Sequence, residues 1–253
     1  MTSRSAVRDA SQPERRLRVP GTRNFRDVGG YPAGDGRETR WRTLFRTDQL
    51  DRLPPSSVEM LEAIGLRQVI DLRWPHELVA APSVFAAHPG VRYRSIPLLE
   101  DDPTPAVGLA GTYRFILDHR GPQLVEVVRA LLAPAGTPAA IGCAAGKDRT
   151  GVMTALLLAA VGVPRDVIAE DYRLTAPMFA RPVDDEHLSD WRSRPLEVEC
   201  PPEYILAALE HLDRTHGGAR GLLRAGGLSD ADLDALTERL TTPVGAGAGG
   251  AGG

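Results

Sequence analysis

One stretch constrains this chain more than any other: Ile141-Gly142-Cys143-Ala144-Ala145-Gly146-Lys147-Asp148-Arg149-Thr150-Gly151. A short apolar run, Pro138 to Ile141, leads into it, and an almost wholly apolar run, Gly151 to Val163, leads out. That pattern reads as buried strand, glycine-containing loop and buried helix. A loop between strand and helix aims its backbone N–H groups at one point, in line with the positive end of the helix dipole. Such a point binds anions. Cysteine opens the loop and arginine closes it. The groups that attract an anion also favour a thiolate, and Arg149 offers a planar fork matched to two phosphoryl oxygens. The stretch is a phosphate-sized cradle with a nucleophile at its floor.

Gly146-Lys147 invites a nucleotide-binding reading, but the spacing fails. The nucleotide loop needs four residues between its glycines and Ser or Thr after the lysine. Here Gly142 and Gly146 enclose three residues, and Asp148 follows Lys147. The packing alternative is a buried, inert cysteine beside a tight turn. It leaves Lys147, Asp148 and Arg149, crowded at the helix start, without a reason.

The Cys-x5-Arg loop is similar to that of the cysteine-dependent phosphatases. Its Gly-Lys-Asp-Arg-Thr-Gly core resembles that of the bacterial tyrosine/serine protein phosphatases, relatives of the dual-specificity and phosphoinositide phosphatases. The resemblance extends to Asn24-Phe25-Arg26-Asp27-Val28-Gly29-Gly30-Tyr31, to Val69-Ile70-Asp71-Leu72-Arg73, to Glu170-Asp171-Tyr172, and to Pro202-Glu203-Tyr204 and Leu228-Ser229-Asp230. It runs in order over roughly residues 20 to 240. One position departs: the family usually has His directly before the cysteine, and this chain has Gly142.

The resemblance implies hydrolysis of a phosphate monoester through a phosphocysteine intermediate, on a phosphorylated protein or a phosphoinositide. Phosphotyrosine, phosphoserine and phosphoinositide all stay open as substrates. Cys143 is the expected nucleophile. Arg149 and the N–H groups of Ala144, Ala145, Gly146, Lys147, Asp148 and Arg149 are expected to hold the phosphoryl oxygens, and Thr150 to donate to the Cys143 sulfur. Two aspartates compete as general acid: Asp148 in the loop, which we favour, and Asp71 at the end of the neighbouring strand, whose alternative is to pair with Arg73. Lys147 adds a second cation, which suits substrates with further phosphates. The positive field of Arg149, Lys147 and the loop amides leads us to expect no metal and no cofactor. Gly142 motivates the alternative of a weak or inactive phosphate-binding pseudophosphatase. It also suggests that Gly142→His would favour the thiolate and speed turnover. Sulfur transfer on a rhodanese-like site is disfavoured by the blocks around the loop.

The remaining sequence points to an α/β fold: a central, mostly parallel sheet flanked by helices, like that of the protein tyrosine phosphatases, with a helical C-terminal part. Strands are expected over 41–46, 66–72 and 91–97, and helices from Pro54, over 113–118, over 123–132, from Pro164, over 202–211 and over 229–240. Ser229 and Asp232 have the spacing of a capping box. Arg26 and Asp27 either line the pocket or tie down the N-terminal segment. Residues 1–18, with Arg4, Arg8, Arg15, Arg16 and Arg18, read as a disordered arm, 19–241 as one domain, and 242–253 as a flexible Gly/Ala tail. The stretch 177–202 carries Arg181, Arg192 and Arg194, either over the pocket or in a solvated loop. Glu100-Asp101-Asp102-Pro103 reads as an acidic turn. A net charge of −3 gives no reason to expect nucleic acid. Two cysteines make no disulfide framework, and Cys200 reads as a packed bystander. A free thiolate and the lack of an apolar core at the N-terminus suggest the cytoplasm. No integral membrane segment is expected, and oligomeric state is left open.

Overall fold

A computed structural model describes residues 14–100, 104–180, 185, 187–188 and 198–244. Five strands form the main sheet: β1 (Arg26–Asp27), β4 (Leu44–Thr47), β5 (Gln68–Asp71), β6 (Arg92–Ser95) and β7 (Ala139–Gly142), in the order β1-β4-β7-β5-β6. β4, β7, β5 and β6 run parallel, and β1 pairs antiparallel with β4 at the edge. A second, antiparallel sheet joins β2 (Pro32–Ala33), β3 (Arg37–Thr39) and β8 (Thr241–Pro243).

Alternation along the central strands divides the core. Leu44, Ile70, Ala139 and Ile141 face one hydrophobic cluster, which takes in residues of α3 (Thr104–His119), α4 (Gly121–Leu132), α5 (Asp148–Ala160), α6 (Arg165–Arg173), α8 (Pro202–His216), α9 (Gly218–Ala225) and α10 (Asp230–Leu240). Phe45, Val69 and Ala140 face the other, with Phe25, Phe85 and Leu61 of α1 (Pro55–Ala63). A period of two on strands buried on both faces is what a helix-covered parallel sheet requires. α5 is buried along nearly its whole length, as its apolar run foretold. The short helices α2 (Pro75–Ala80) and α7 (Thr175–Phe179), the helix α9 and the small second sheet were not expected from the sequence. The capping box of α10 is present, with Ser229 Oγ accepting from Asp232 N.

Residues 15–17 and 242–243, which the sequence placed in the terminal arm and tail, take part in the fold. Arg15, Arg16 and Leu17 pair with the β1 region: Asp27 N donates to Arg15 O, Leu17 N to Phe25 O, and Arg16 forms a bridge with Arg26. Thr242 and Pro243 belong to β8. Arg181, Arg192, Arg194 and the acidic turn from Asp101 to Pro103 lie outside the described residues. Among the described residues no helix is long and apolar enough to cross a membrane.

A buried ion cluster links the N-terminal segment to the sheet and to α6. Asp171 accepts from Arg46 Nη1 at 2.6 Å, from Arg26 Nε at 3.3 Å and from the Tyr31 hydroxyl at 2.9 Å. Burial works against the Asp171 charge, but the two guanidinium groups outweigh it and hold the carboxyl well below the usual range. Burial and the neighbouring Arg46 lower Arg26 to about 10 despite Asp171. Asp27, the other buried acid of the signature, accepts instead from the N–H groups of Gly29 and Arg42. Arg26 and Asp27 therefore tie the N-terminal segment down.

Asp171→Ala strands two buried cations, a loss of roughly 3–5 kcal/mol in urea unfolding at pH 7. Because the folded carboxyl titrates below its unfolded value of about 3.9, its contribution is present above about pH 4 and fades as pH falls further. The parent protein should thus lose more stability on acidification than the variant. Equal stability at pH 7 would contradict this role.

Candidate active site

The strand ends put the site where the parallel sheet opens. Thr47, Gly142 and Asp71 are register partners at the C-terminal ends of β4, β7 and β5, the edge at which ligands bind in open α/β sheets. Cys143 follows β7 and is 2 % exposed. Asp148, at the start of α5, has 35 % of its side chain exposed. The thiol is the floor of the loop and Asp148 stands at its rim.

The loop is held from behind by its carbonyls. Gln49 N donates to Ala144 O at 3.1 Å. Asn24 Nδ2 donates to Ala145 O at 2.9 Å and to Gly146 O at 3.2 Å, and Arg46 Nη2 donates to Gly146 O at 2.7 Å. A trans peptide plane points its N–H opposite its C=O. Fixing these three carbonyls toward the scaffold turns the N–H groups of Ala145, Gly146 and Lys147 to the concave side. Asn24 is positioned in turn by its own N–H on the Asp48 carboxylate and by its side-chain oxygen, which accepts from Arg26 Nη1. Gly146 sits at φ 65°, and a Cβ there would collide with the Thr47 carbonyl. Only glycine follows this turn against β4 without strain.

Arg149 is 7 % exposed and points into an unexpected partner, Glu77 of α2. Arg149 Nη1 donates to Glu77 Oε2 at 2.5 Å and Nη2 to Oε1 at 3.1 Å. The Trp74 ring lies 4.4 Å from the guanidinium carbon. Glu77 also accepts from Trp74 N, so one carboxylate closes the first turn of α2 and orients the arginine. Burial opposes the charge on each partner. For Arg149 the nearby Cys143 and Glu77 outweigh burial and hold it above its ordinary value; for Glu77 the hydrogen bonds from Arg149 hold it below. Two of the guanidinium N–H donors go to Glu77.

The two candidate acids part company here. Asp71 is 5 % exposed, and its carboxylate accepts from Arg73 Nε and Nη2, from Arg73 N and from the Tyr93 hydroxyl. The geometry favours pairing with Arg73 over proton transfer. Asp148 Oδ1 accepts from the Tyr113 hydroxyl at 2.6 Å and lies 3.6 Å from Lys147 Nζ. Tyr113 and Tyr172 share a 2.6 Å hydroxyl contact. Burial, then the neighbouring Asp148, pushes the Tyr113 phenol far up, so it stays a proton-bearing donor.

The structure bears on two further expectations. Thr150 is fully buried, and its hydroxyl has no hydrogen-bond partner among the described residues, so the bond to the Cys143 sulfur is not formed here. At Gly142 a Cβ would lie 2.8 Å from Thr47 Cγ2 and 3.2 Å from the carbonyl oxygens of Thr47 and Asp48. A Cβ there needs the Thr47 side chain to move and presses on two backbone carbonyls, so glycine suits the close approach of β7 to β4. Cys200 is buried, and burial pushes its thiol up to about 11, consistent with a packed bystander.

Asn24, Arg46, Gln49, Glu77, Trp74 and Tyr113 were not singled out in the sequence as site residues. Asn24 stood in the N-terminal signature, and Glu77 stands at the third helical position after Trp74-Pro75, a spacing that reads as a helix start.

Residues 17–242 match the model of the tyrosine phosphatase family. Among curated relatives, a tyrosine-protein phosphatase of Nostoc commune is 29 % identical over 217 residues, 77 % of this chain and 73 % of that protein. The triple specificity protein phosphatase PtpB of Mycobacterium tuberculosis is 28 % identical over 272 aligned positions, covering 86 % of this chain and 96 % of PtpB. Among solved structures, TpbA of P. aeruginosa aligns over 76 % of this chain and 91 % of its own, at 16 % identity and a TM-score of 0.41. With the family model spanning almost all of the described fold, this chain belongs to the tyrosine phosphatase family, hydrolases of phosphoric monoesters.

Proposed function

We propose that the chain hydrolyses phosphotyrosine in proteins, and further phosphate monoesters, through a phosphocysteine on Cys143. The observation that carries this reading is the outward anchoring of three successive loop carbonyls, which leaves an inward ring of N–H groups around a buried thiol. The Cys143 thiolate attacks phosphorus as the bond from phosphorus to the ester oxygen breaks. Asp148, at the rim, gives its proton to that oxygen. Arg149 and the loop amides hold the equatorial oxygens where charge develops. In the second step Asp148, now a carboxylate, takes a proton from water, whose oxygen attacks phosphorus and releases the thiolate. In this reading the Thr150 hydroxyl, unpartnered here, turns to donate to the sulfur once it carries that charge. These residues need no metal to supply the positive field.

Lys147 beside Asp148 supports a wider substrate range than phosphotyrosine, including inositol phosphates and phosphoserine. So does the relative named for triple specificity. The match to the tyrosine phosphatase family favours a working phosphatase over a pseudophosphatase. A free thiol at Cys143 fits a reducing compartment such as the cytoplasm.

Cys143→Ser should abolish phosphate release from phosphotyrosine peptide and from nitrophenyl phosphate while retaining binding of inorganic phosphate, since the cradle is untouched. Substantial turnover by this variant would contradict the mechanism. Asp148→Asn should slow an alkyl phosphate by about 10²–10⁴-fold, and nitrophenyl phosphate much less, because nitrophenolate leaves without a proton. Asp71→Asn should not reproduce that leaving-group dependence. The reverse ranking would move the acid to Asp71.

A further inference from the structure

Away from the cradle, three side chains with metal-binding atoms converge where α3 and α8 end together. Asp118 is the next-to-last residue of α3, and His211 and His216 lie in the last turns of α8. Asp118 Oδ1 is 2.8 Å from Nε2 of each histidine. One ligand atom from each residue fits within a span of 4.8 Å. The ligands come from positions 93 and 98 residues apart in the chain, so no sequence spacing announces them.

The cluster offers a cation two imidazole nitrogens and one carboxylate oxygen. His211 Nδ1 lies 3.4 Å from Thr215 Oγ1. If Nδ1 carries the proton toward that hydroxyl, Nε2 turns a lone pair to the Asp118 carboxylate oxygen. Two lone pairs face each other stably only with a cation between them. An outer partner on the second ring nitrogen is the usual way in which a metal-binding histidine is oriented.

We propose that Asp118, His211 and His216 bind a Zn²⁺ ion that ties the end of α3 to the end of α8. Two imidazole nitrogens and one carboxylate oxygen form a borderline donor set that suits zinc, with a water in the fourth position. Bonds of about 2.0–2.1 Å in tetrahedral geometry put ligand atoms about 3.3 Å apart. The present 2.8 Å contacts need to open by about half an ångström, within reach of side chains that are 16 %, 20 % and 31 % exposed. That exposure also gives the ion an entry path and room for its water. The site lies five residues beyond Tyr113, about 7.5 Å further along the α3 axis, so the ion braces the helix that holds Asp148 without entering the cradle.

The test separates this site from any zinc held by the active-site thiol. ZnCl₂ titrated calorimetrically into full-length Cys143→Ser protein at pH 7 should bind one ion per chain with micromolar affinity. Added His211→Ala or His216→Ala should each weaken binding at least about tenfold. Added His119→Ala, whose ring stacks instead on Phe115, should leave it unchanged. Co²⁺ should give visible bands of a nitrogen and oxygen site without a thiolate charge-transfer band, and those bands should vanish with either histidine. Zn²⁺ should raise the melting temperature of the Cys143→Ser protein by several degrees, and that of the histidine variants by clearly less at the same concentration. If a histidine variant fails to fold, Asp118→Asn should show the same loss of affinity. Absence of saturable binding, or equal affinity with either histidine removed, would reduce the cluster to hydrogen bonds and overturn the proposal.

Discussion

The active loop depends on what stands behind it. Backbone N–H groups converge on an anion only if the carbonyls of the same peptide planes are satisfied on the other side, since a buried unpaired carbonyl costs about 1–3 kcal/mol. Here Gln49 N, the Asn24 amide and the Arg46 guanidinium take that role for Ala144, Ala145 and Gly146. Arg46 is itself buried and needs an anion, which Asp171 supplies while also serving Arg26 and Tyr31. Elements far apart in the chain, from Asn24 to Asp171, thus form one continuous polar support. Asn24, Arg26, Arg46 and Asp171 are at most 2 % exposed, a setting in which each unpaired polar group is costly.

The charge at the floor of the cradle is balanced in the same way. An isolated guanidinium at the burial of Arg149 would be costly. Glu77 and Trp74 fix its direction, and charge-assisted hydrogen bonds of this kind contribute about 1.5–3 kcal/mol each. Glu77 sits on a short helix whose first turn it closes, so the orientation of Arg149 is coupled to the formation of α2. Lys147 and Asp148 occupy the rim, where solvent and substrate reach them.

Much of this was legible before any coordinates. The buried strand, loop and buried helix around Cys143 followed from hydrophobic pattern alone, and the parallel sheet from strands alternating with helices. What stayed hidden has physical reasons. Glu77 meets Arg149 across 72 residues, and Asn24 meets the loop across 121; local periodicity carries no trace of such pairings. The strands β2, β3 and β8 are two or three residues long, too short for an alternating pattern to register. Asp71 illustrates the opposite limit. Its place at a strand end was read correctly, and only the structure shows its carboxylate taken up by Arg73 and Tyr93. At Gly142 the sequence showed a departure from a family pattern, whereas the structure shows the Thr47 side chain that crowds this position.

The central claim is that outward anchoring of the loop carbonyls creates the anion site. It is tested most directly by calorimetric titration of inorganic phosphate into Cys143→Ser protein with and without Asn24→Ala. Asn24 touches the back of the loop and not the ligand side, and Cys143 chemistry is absent from both proteins. The account predicts that Asn24→Ala weakens phosphate binding about tenfold or more, corresponding to a net hydrogen-bond contribution of roughly 1.4 kcal/mol or above, in protein that still folds. Unchanged phosphate affinity in folded Asn24→Ala protein would contradict it.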